Sequence, residues 1–392
     1  MHTFKPYNGL AALSPKKIND YTYDVVLRDG AKFSNGQAVT TDDVIKSFKD
    51  NMEDEIFSAL LGFIKNITAK DSKTLTFSLN YPFENLIETR LAIVFIYPAN
   101  MSPDELKKKP LGTGPWALSN FDGNNGGKVE FVKNEHYDGK YPAPTENMTW
   151  DVLTDNTSRT TALTDRTVLA MEAVPDLNIG QITTSGASVD YVQGFSCALL
   201  MFNCLKAPFN DVRVRQAFHY AINYESLIDV QLDGHAKPAT SYLPENHPNY
   251  HRSATVYNHD PDKARELLKE AGLEEINCSL MVNSNWIKNL APQIQNDLKN
   301  VGINVDLDIK TIPWNSLGAS NDILPYDVML TAGDPSQIGD DVDLMMSFWY
   351  GDNVWMNGRS CWKKADPAKF NQLSTLLQRA REASSSTTQQ AL

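Results

Sequence analysis

Phe202-Asn203-Cys204-Leu205-Lys206-Ala207-Pro208-Phe209-Asn210-Asp211-Val212-Arg213-Val214-Arg215-Gln216-Ala217-Phe218-His219-Tyr220-Ala221-Ile222-Asn223 is the stretch whose reading decides the fold. Its first residue closes an apolar run, Ala198 to Phe202, that reads as a buried strand. Pro208 lacks a backbone donor and breaks the ladder, so a turn follows. Asp211 suits the N-cap of a helix whose apolar residues, Val214, Ala217, Phe218, Ala221 and Ile222, recur at three and four.

Downstream, Asp260-Pro261 opens a helix with Ala264, Leu267, Leu268 and Ala271 on one face, and Gly272 ends it. Leu280-Met281-Val282 reads as a strand. Ile294, Leu298 and Val301 mark a helix stopped by Gly302, and Ile303, Val305, Leu307 and Ile309 alternate in the next strand. Strand, helix, strand at this spacing is a βαβ unit, so an α/β lobe is expected from about Phe202 onward. Tyr326 to Leu330 adds a strand. Asp366-Pro367 opens a last helix with Phe370, Leu373, Leu376, Leu377 and Ala380 inward, and the polar tail Ser384 to Gln390 is expected to fray.

Upstream, Tyr21 to Leu27 reads as a strand and Arg28-Asp29-Gly30 as a turn. Phe33-Ser34-Asn35-Gly36 makes a second turn. Thr40 then caps a helix whose Val44, Ile45, Phe48 and Met52 face inward, with Asp42 and Asp43 at its positive end. Leu75, Phe77 and Leu79 alternate in a strand, and Pro98 to Pro110 reads as a loop holding the solvated Lys107-Lys108-Lys109. Leu111-Gly112-Thr113-Gly114-Pro115-Trp116 has too little in common with a phosphate loop, because Pro115 and a strand follow instead of a helix with Lys. It reads as a sharp turn into a strand. Trp150 to Asp155 reads as a strand entering the helix Thr157 to Leu163.

These motifs carry a resemblance. Leu27-Arg28-Asp29-Gly30 with Phe33-Ser34-Asn35-Gly36 and Thr40-x-x-Asp43-Val44 resembles the early signature of the family 5 extracellular solute-binding proteins of ABC transporters. Gly112-Thr113-Gly114-Pro115-Trp116, then Asn134-Glu135-His136-Tyr137, is the sharpest match, and Asn203 with Pro208-Phe209-x-Asp211-x-Arg213-Val214-Arg215 follows in the family's order. Relatives usually place a Gly and an Asp where this chain has Asp165-Arg166-Thr167-Val168-Leu169.

The resemblance implies an α/β periplasmic-binding-protein type II (cluster C) fold of two lobes with a hinge near Gln193 to Asn203 and a cleft between them. The first lobe would be 1–196, including the family's extra subdomain at about 1–148, and the second 197–392. The family's lead-in and its return to the first lobe are missing, so the fold reads as truncated at both ends, with no signal segment in this chain. The implied function is capture of a peptide and delivery to ABC permease subunits, outside the cytoplasm, by a monomer that catalyses nothing and uses no cofactor. A nickel chelate or an oligosaccharide is the alternative guest.

The totals agree. With 392 residues, 42% hydrophobic and 21% charged, the chain exceeds one core and is ordinary for a globular protein. A net charge of −12 argues against nucleic acid or an anionic membrane face as partner. Cys197, Cys204, Cys278 and Cys361 lack metal-site spacing; Cys197 and Cys204 read as small buried hydrophobes, and disulfide pairing is left open. His247 and His251 are four apart but lie among prolines and asparagines, so they read as a loop rather than a metal site.

The stretch from Gly333 to Asp343, followed by Trp349, Tyr350, Trp355, Arg359 and Trp362, is rich in aromatics and acids, as a cleft holding a polar guest would be. Peptide receptors of the family carry an Asp in the matching loop that pairs with the guest's ammonium. By position that role falls on Asp340, with Asp334 second, and Trp349, Tyr350, Trp355 and Arg359 would line the pocket. The reading from another class is a hydrolase using Asp340 and Asp341.

Overall fold

The computed structural model describes residues 6–54, 57–247, 249–283, 287–310, 322–333 and 341–391. The chain divides into two units, one of Met1–Ala170, Ile338–Leu344 and Leu376–Leu392, the other of Met171–Gln337 and Met345–Thr375.

In the first unit, β1 (Lys16–Asn19), β2 (Thr22–Val26), β3 (Ile64–Ala69) and β4 (Thr74–Leu79) form an antiparallel sheet in the order β1-β2-β4-β3. Alternation decides its buried face: Leu75, Phe77 and Leu79 all point into the core. Helix α1 (Thr41–Glu53) covers that face with Val44 and Phe48, and Phe48 meets Phe77 edge-on at 5.2 Å. Its start is a capping box, in which the Thr40 N–H donates to Asp43 Oδ2 at 2.7 Å and the Asp43 N–H donates to Thr40 Oγ1. Asp43 also accepts from the Ala99 N–H at 2.7 Å, which its reading as a helix-end charge alone does not convey.

A second antiparallel sheet holds β5 (Trp116–Phe121), β6 (Lys128–Lys133) and β7 (Asn147–Asp151) in chain order. The strand expected from Trp150 thus begins earlier and ends before Asp155, which instead caps helix Asn156–Thr164 through the Ser158 N–H. The stretch expected as a loop contains helix Pro103–Lys108, started by a Ser102–Glu105 capping box, so Lys107 and Lys108 belong to a helical last turn.

The second unit is built on β8 (Cys197–Phe202), β9 (Ile276–Val282), β10 (Ile303–Ile309) and β11 (Val328–Gly333), in the order β10-β9-β11-β8. β10, β9 and β11 run parallel, and β8 pairs antiparallel with β11. Helices α2 (Val212–Ala221), α3 (Pro261–Glu270) and α4 (Ala291–Lys299) contribute Val214, Ala217, Phe218, Ala264, Leu267, Leu268, Ile294 and Leu298 to one core with Phe202, Leu280, Val282, Val328 and Leu330. The apolar positions read in these helices are buried, Ala271 only partly, whereas Ile309, expected to alternate with Ile303, Val305 and Leu307 in β10, is 57% exposed. Gly272 and Gly302 end their helices with φ +77° and +89°, the left-handed conformation that glycine adopts without strain.

Two expectations fail at the far end. In helix Pro367–Arg381 only Phe370 is fully buried, and Leu376 is 37% exposed. Ser386–Ala391 forms a short helix where the polar tail was expected to fray.

Candidate ligand site

In open α/β sheets, ligands meet the carboxyl ends of the parallel strands. In the second unit those ends are Val282, Ile309 and Gly333. Residues on β11 alternate: Val328 and Leu330 enter the helix-covered core, so Met329, Thr331 and Gly333 face the opposite side. Trp349 lies on that side. A Cβ built on Gly333 would stand 2.6 Å from Trp349 Cζ2, so the strand end tolerates the indole only because residue 333 is glycine.

Trp349, 5% exposed, packs with Phe348 (5.0 Å between ring centres) and Trp355 (5.2 Å). Trp355 is 1% exposed and is therefore an interior ring. Tyr350 is half-buried, edge-on to Tyr242 at 6.0 Å and Trp362 at 6.5 Å, and burial pushes its phenol pKa up. Arg359 is also 1% exposed. Its Nη1 donates to the Asp322 carbonyl at 2.8 Å, while its own carbonyl accepts from the Tyr326 hydroxyl at 2.6 Å. Of the four, Tyr350 is the most exposed, Trp349 is nearly buried, and Trp355 and Arg359 are fully buried.

Asp334 and Asp340 lie outside the described residues. Asp341 is described, and it belongs to a buried ion-pair network of the first unit. Arg90 Nη2 donates to Asp341 Oδ1 at 2.9 Å and to Asp343 Oδ2 at 2.7 Å, and Arg90 Nη1 donates to the Leu60 carbonyl at 2.7 Å. Arg381 Nε donates to Asp343 Oδ1 at 2.7 Å. Asp341 also accepts from Thr89 Oγ1 and from the Leu344 N–H, capping helix Val342–Tyr350. Burial alone would lower the Arg90 pKa, but Asp341 and Asp343 outweigh it and hold the guanidinium above its usual range. Both Asp341 oxygens are engaged, which leaves this carboxylate without a role as a hydrolytic acid or base. The network was missed in the sequence, where Arg90 follows Glu88 and Thr89 in an otherwise apolar stretch, Leu86 to Ile96.

Two polar atoms sit at the strand ends in the opposite condition. Asn283 Oδ1, just past β9, and Thr331 Oγ1, on β11, are buried with no hydrogen-bond partner among the described residues. Sequence reading named neither.

The signature motifs that lie in the first unit meet there as architecture. The Ser34 N–H donates to the Gly112 carbonyl at 2.9 Å. Asn134 Nδ2 donates to the Gly114 carbonyl at 2.7 Å and the Asn134 N–H to the Pro115 carbonyl at 2.9 Å. Arg28 pairs with Asp138, and the His136 ring lies 2.9 Å from where a Cβ on Gly36 would be. His247 sits in a loop, where its Nδ1 accepts from the Asn249 N–H. Among the described residues no group of three or more His, Cys, Asp or Glu could hold a metal ion, all four cysteines are free thiols, and no helix is long and apolar enough to cross a membrane.

A family model described as bacterial extracellular solute-binding proteins, family 5 middle, matches residues 5–359. The chain belongs to this family. It is 28% identical over 315 residues to the nickel-binding periplasmic protein of Escherichia coli K12, covering 73% of this chain and 60% of that one. It is 28% identical over 355 residues to a putative ABC transporter peptide-binding protein of Brucella ovis, covering 83% of this chain and 65% of that one. The matches thus span less than two thirds of these relatives' lengths. Among solved structures, NikA of Staphylococcus aureus in complex with Ni(L-His)2 has a TM-score of 0.82 at 20% identity, covering 98% of this chain and 80% of that one. DppA of Helicobacter pylori in complex with peptide STSA has 0.81 at 22% identity, covering 98% and 79%. The fold is that of the type II periplasmic binding proteins.

Proposed function

We propose that this chain is the solute-capturing part of an ABC importer, taking up a peptide outside the cytoplasm and passing it unchanged to permease subunits. The observation that carries the reading is the family match over residues 5–359. The peptide is favoured by the Brucella ovis relative, whose alignment covers 83% of this chain, and by the peptide-bound DppA structure. The strand ends add support: a peptide backbone supplies both donors and acceptors, and Asn283 Oδ1 and Thr331 Oγ1 have no hydrogen-bond partner among the described residues. Buried polar atoms left unsatisfied cost about 1–3 kcal/mol each, a cost that a bound guest removes.

In this reading the lobes are 1–196 and 197–392, and the protein works as a monomer with neither catalysis nor nucleic acid. Asp340, with Asp334 second, takes the peptide's ammonium. Trp349 and Tyr350 form the apolar wall, backed by Trp355 and Arg359. A nickel chelate is the second reading, favoured by the Escherichia coli relative.

Calorimetry with a mixture of short peptides and with nickel-histidine separates the two. The peptide mixture is expected to bind, and Asp340→Asn to weaken it at least tenfold by removing the charge opposite the ammonium. Heat from nickel-histidine alone would transfer the assignment to the chelate.

A further inference from the structure

All four cysteines lie in the second unit, and two of them are neighbours. Cys204 follows β8 by two residues, and Cys361 directly follows the π-helical turn Trp355–Ser360. The Cys204 N–H donates to the Ser360 carbonyl at 2.9 Å, so Cys361 is the residue next to the hydrogen-bonded one. Standard bond lengths then hold the two Cα atoms within about 7 Å of each other. A disulfide spans Cα separations up to nearly that distance.

The surroundings point the same way. Cys204 is 7% exposed and Cys361 0%, and both add to the rise that burial causes in the Tyr326 phenol pKa, against a lowering by Arg359. The Cys361 backbone is left-handed, φ 55° and ψ 18°, at a helix junction where glycine is the usual residue. The other two thiols are elsewhere. Cys197 stands opposite Gly333 and Cys278 opposite Val305, with β11 between their strands.

We propose that Cys204 and Cys361 are joined by a disulfide when the chain folds in an oxidising compartment, tying the end of β8 to the start of helix Trp362–Ala365. The compartment is the one assigned under the proposed function, but the pairing is independent of what the protein binds. The oxidant is a small-molecule or protein disulfide. One cysteine thiolate attacks a sulfur of that disulfide, giving a mixed disulfide and releasing a thiolate. The second cysteine thiolate then attacks the linked cysteine sulfur, forming the internal S–S bond and expelling the other half of the oxidant. Two electrons pass to the oxidant, and the two cysteine protons end in solvent or on the released thiols. Burial raises the pKa of both thiols in the folded chain, so the exchange belongs to folding, and the finished bond is shielded from later exchange.

The test is refolding of the reduced protein in a buffer of oxidised and reduced glutathione, alkylation of remaining thiols under denaturing conditions, and peptide mapping by mass spectrometry. The expected map has Cys197 and Cys278 alkylated and one linked peptide pair containing Cys204 and Cys361, lost on reduction. Cys197→Ser should give the same linked pair, and Cys204→Ser should leave Cys361 alkylated. Alkylation of all four cysteines in the refolded wild type, or a linkage through Cys197 or Cys278, would overturn the proposal. Neither result depends on ligand binding, so its failure would leave the transport reading untouched.

Discussion

Arg90 shows what one residue can hold in place. Its guanidinium is buried against Asp341 and Asp343, the two carboxylates that open the helix after residue 340. Removing one partner of such a pair leaves charge stranded out of water. Arg90→Met is therefore expected to destabilise the protein by about 3–5 kcal/mol, read by thermal or urea unfolding. A loss under 1 kcal/mol would mean that Asp341 and Asp343 find other partners. Asp327 gives a pH-dependent counterpart. Burial opposes its charge, but Lys206 and the Ser279 N–H and O–H outweigh this and hold its pKa below the usual carboxylate value. A lowered folded pKa contributes stability above the ordinary carboxylate range, near 4, that is lost as pH falls below it toward the folded value. Asp327→Asn should thus cost about 1 kcal/mol at neutral pH. The gap to wild type should close below about pH 4 in unfolding curves taken across that range. A gap that stays constant with pH would sink this assignment.

At the scale of the element, what was legible is what is local. Helix α2 was readable from Asp211 and five apolar positions, because cap and spacing lie within one segment. Helix Pro103–Lys108 was equally local and was still missed, since the prolines around it weighed more than the Ser102-Pro103-x-Glu105 capping pattern. The Arg90–Asp341 pair could not be read at all, because its members are 251 residues apart and nothing in either segment names the other. Trp349, Tyr350, Trp355 and Arg359 were recognisable as a group from their aromatic context. Their differing exposure, from the half-buried Tyr350 to the fully buried Trp355 and Arg359, and the packing of Trp349 against Gly333 required the folded sheet. The turn after helix Asn156–Thr164 carries its own test. Arg166 has φ 60°, in the left-handed region that glycine adopts without strain, so the turn holds a residue unsuited to it. Arg166→Gly should raise stability by about 1 kcal/mol through relief of that strain, measured as a shift in urea midpoint at unchanged slope. A loss of stability would show that the arginine side chain contributes more than its backbone costs.

At the scale of the whole molecule, the proposed reading is capture rather than catalysis, and it rests on the family match over residues 5–359. Family signatures of the first unit serve there as hydrogen-bonded architecture, while the second holds Trp349 against a strand end and two polar atoms with no hydrogen-bond partner among the described residues. Asp341, the described member of the acid pair that suggested hydrolysis, is bound to Arg90. The most direct measurement is native mass spectrometry of protein purified from cells without denaturation, with the guest released by collision and weighed. The account predicts a mass increment equal to one short peptide, recovered intact after prolonged incubation. A guest containing nickel, or a peptide recovered as hydrolysed pieces, would contradict it.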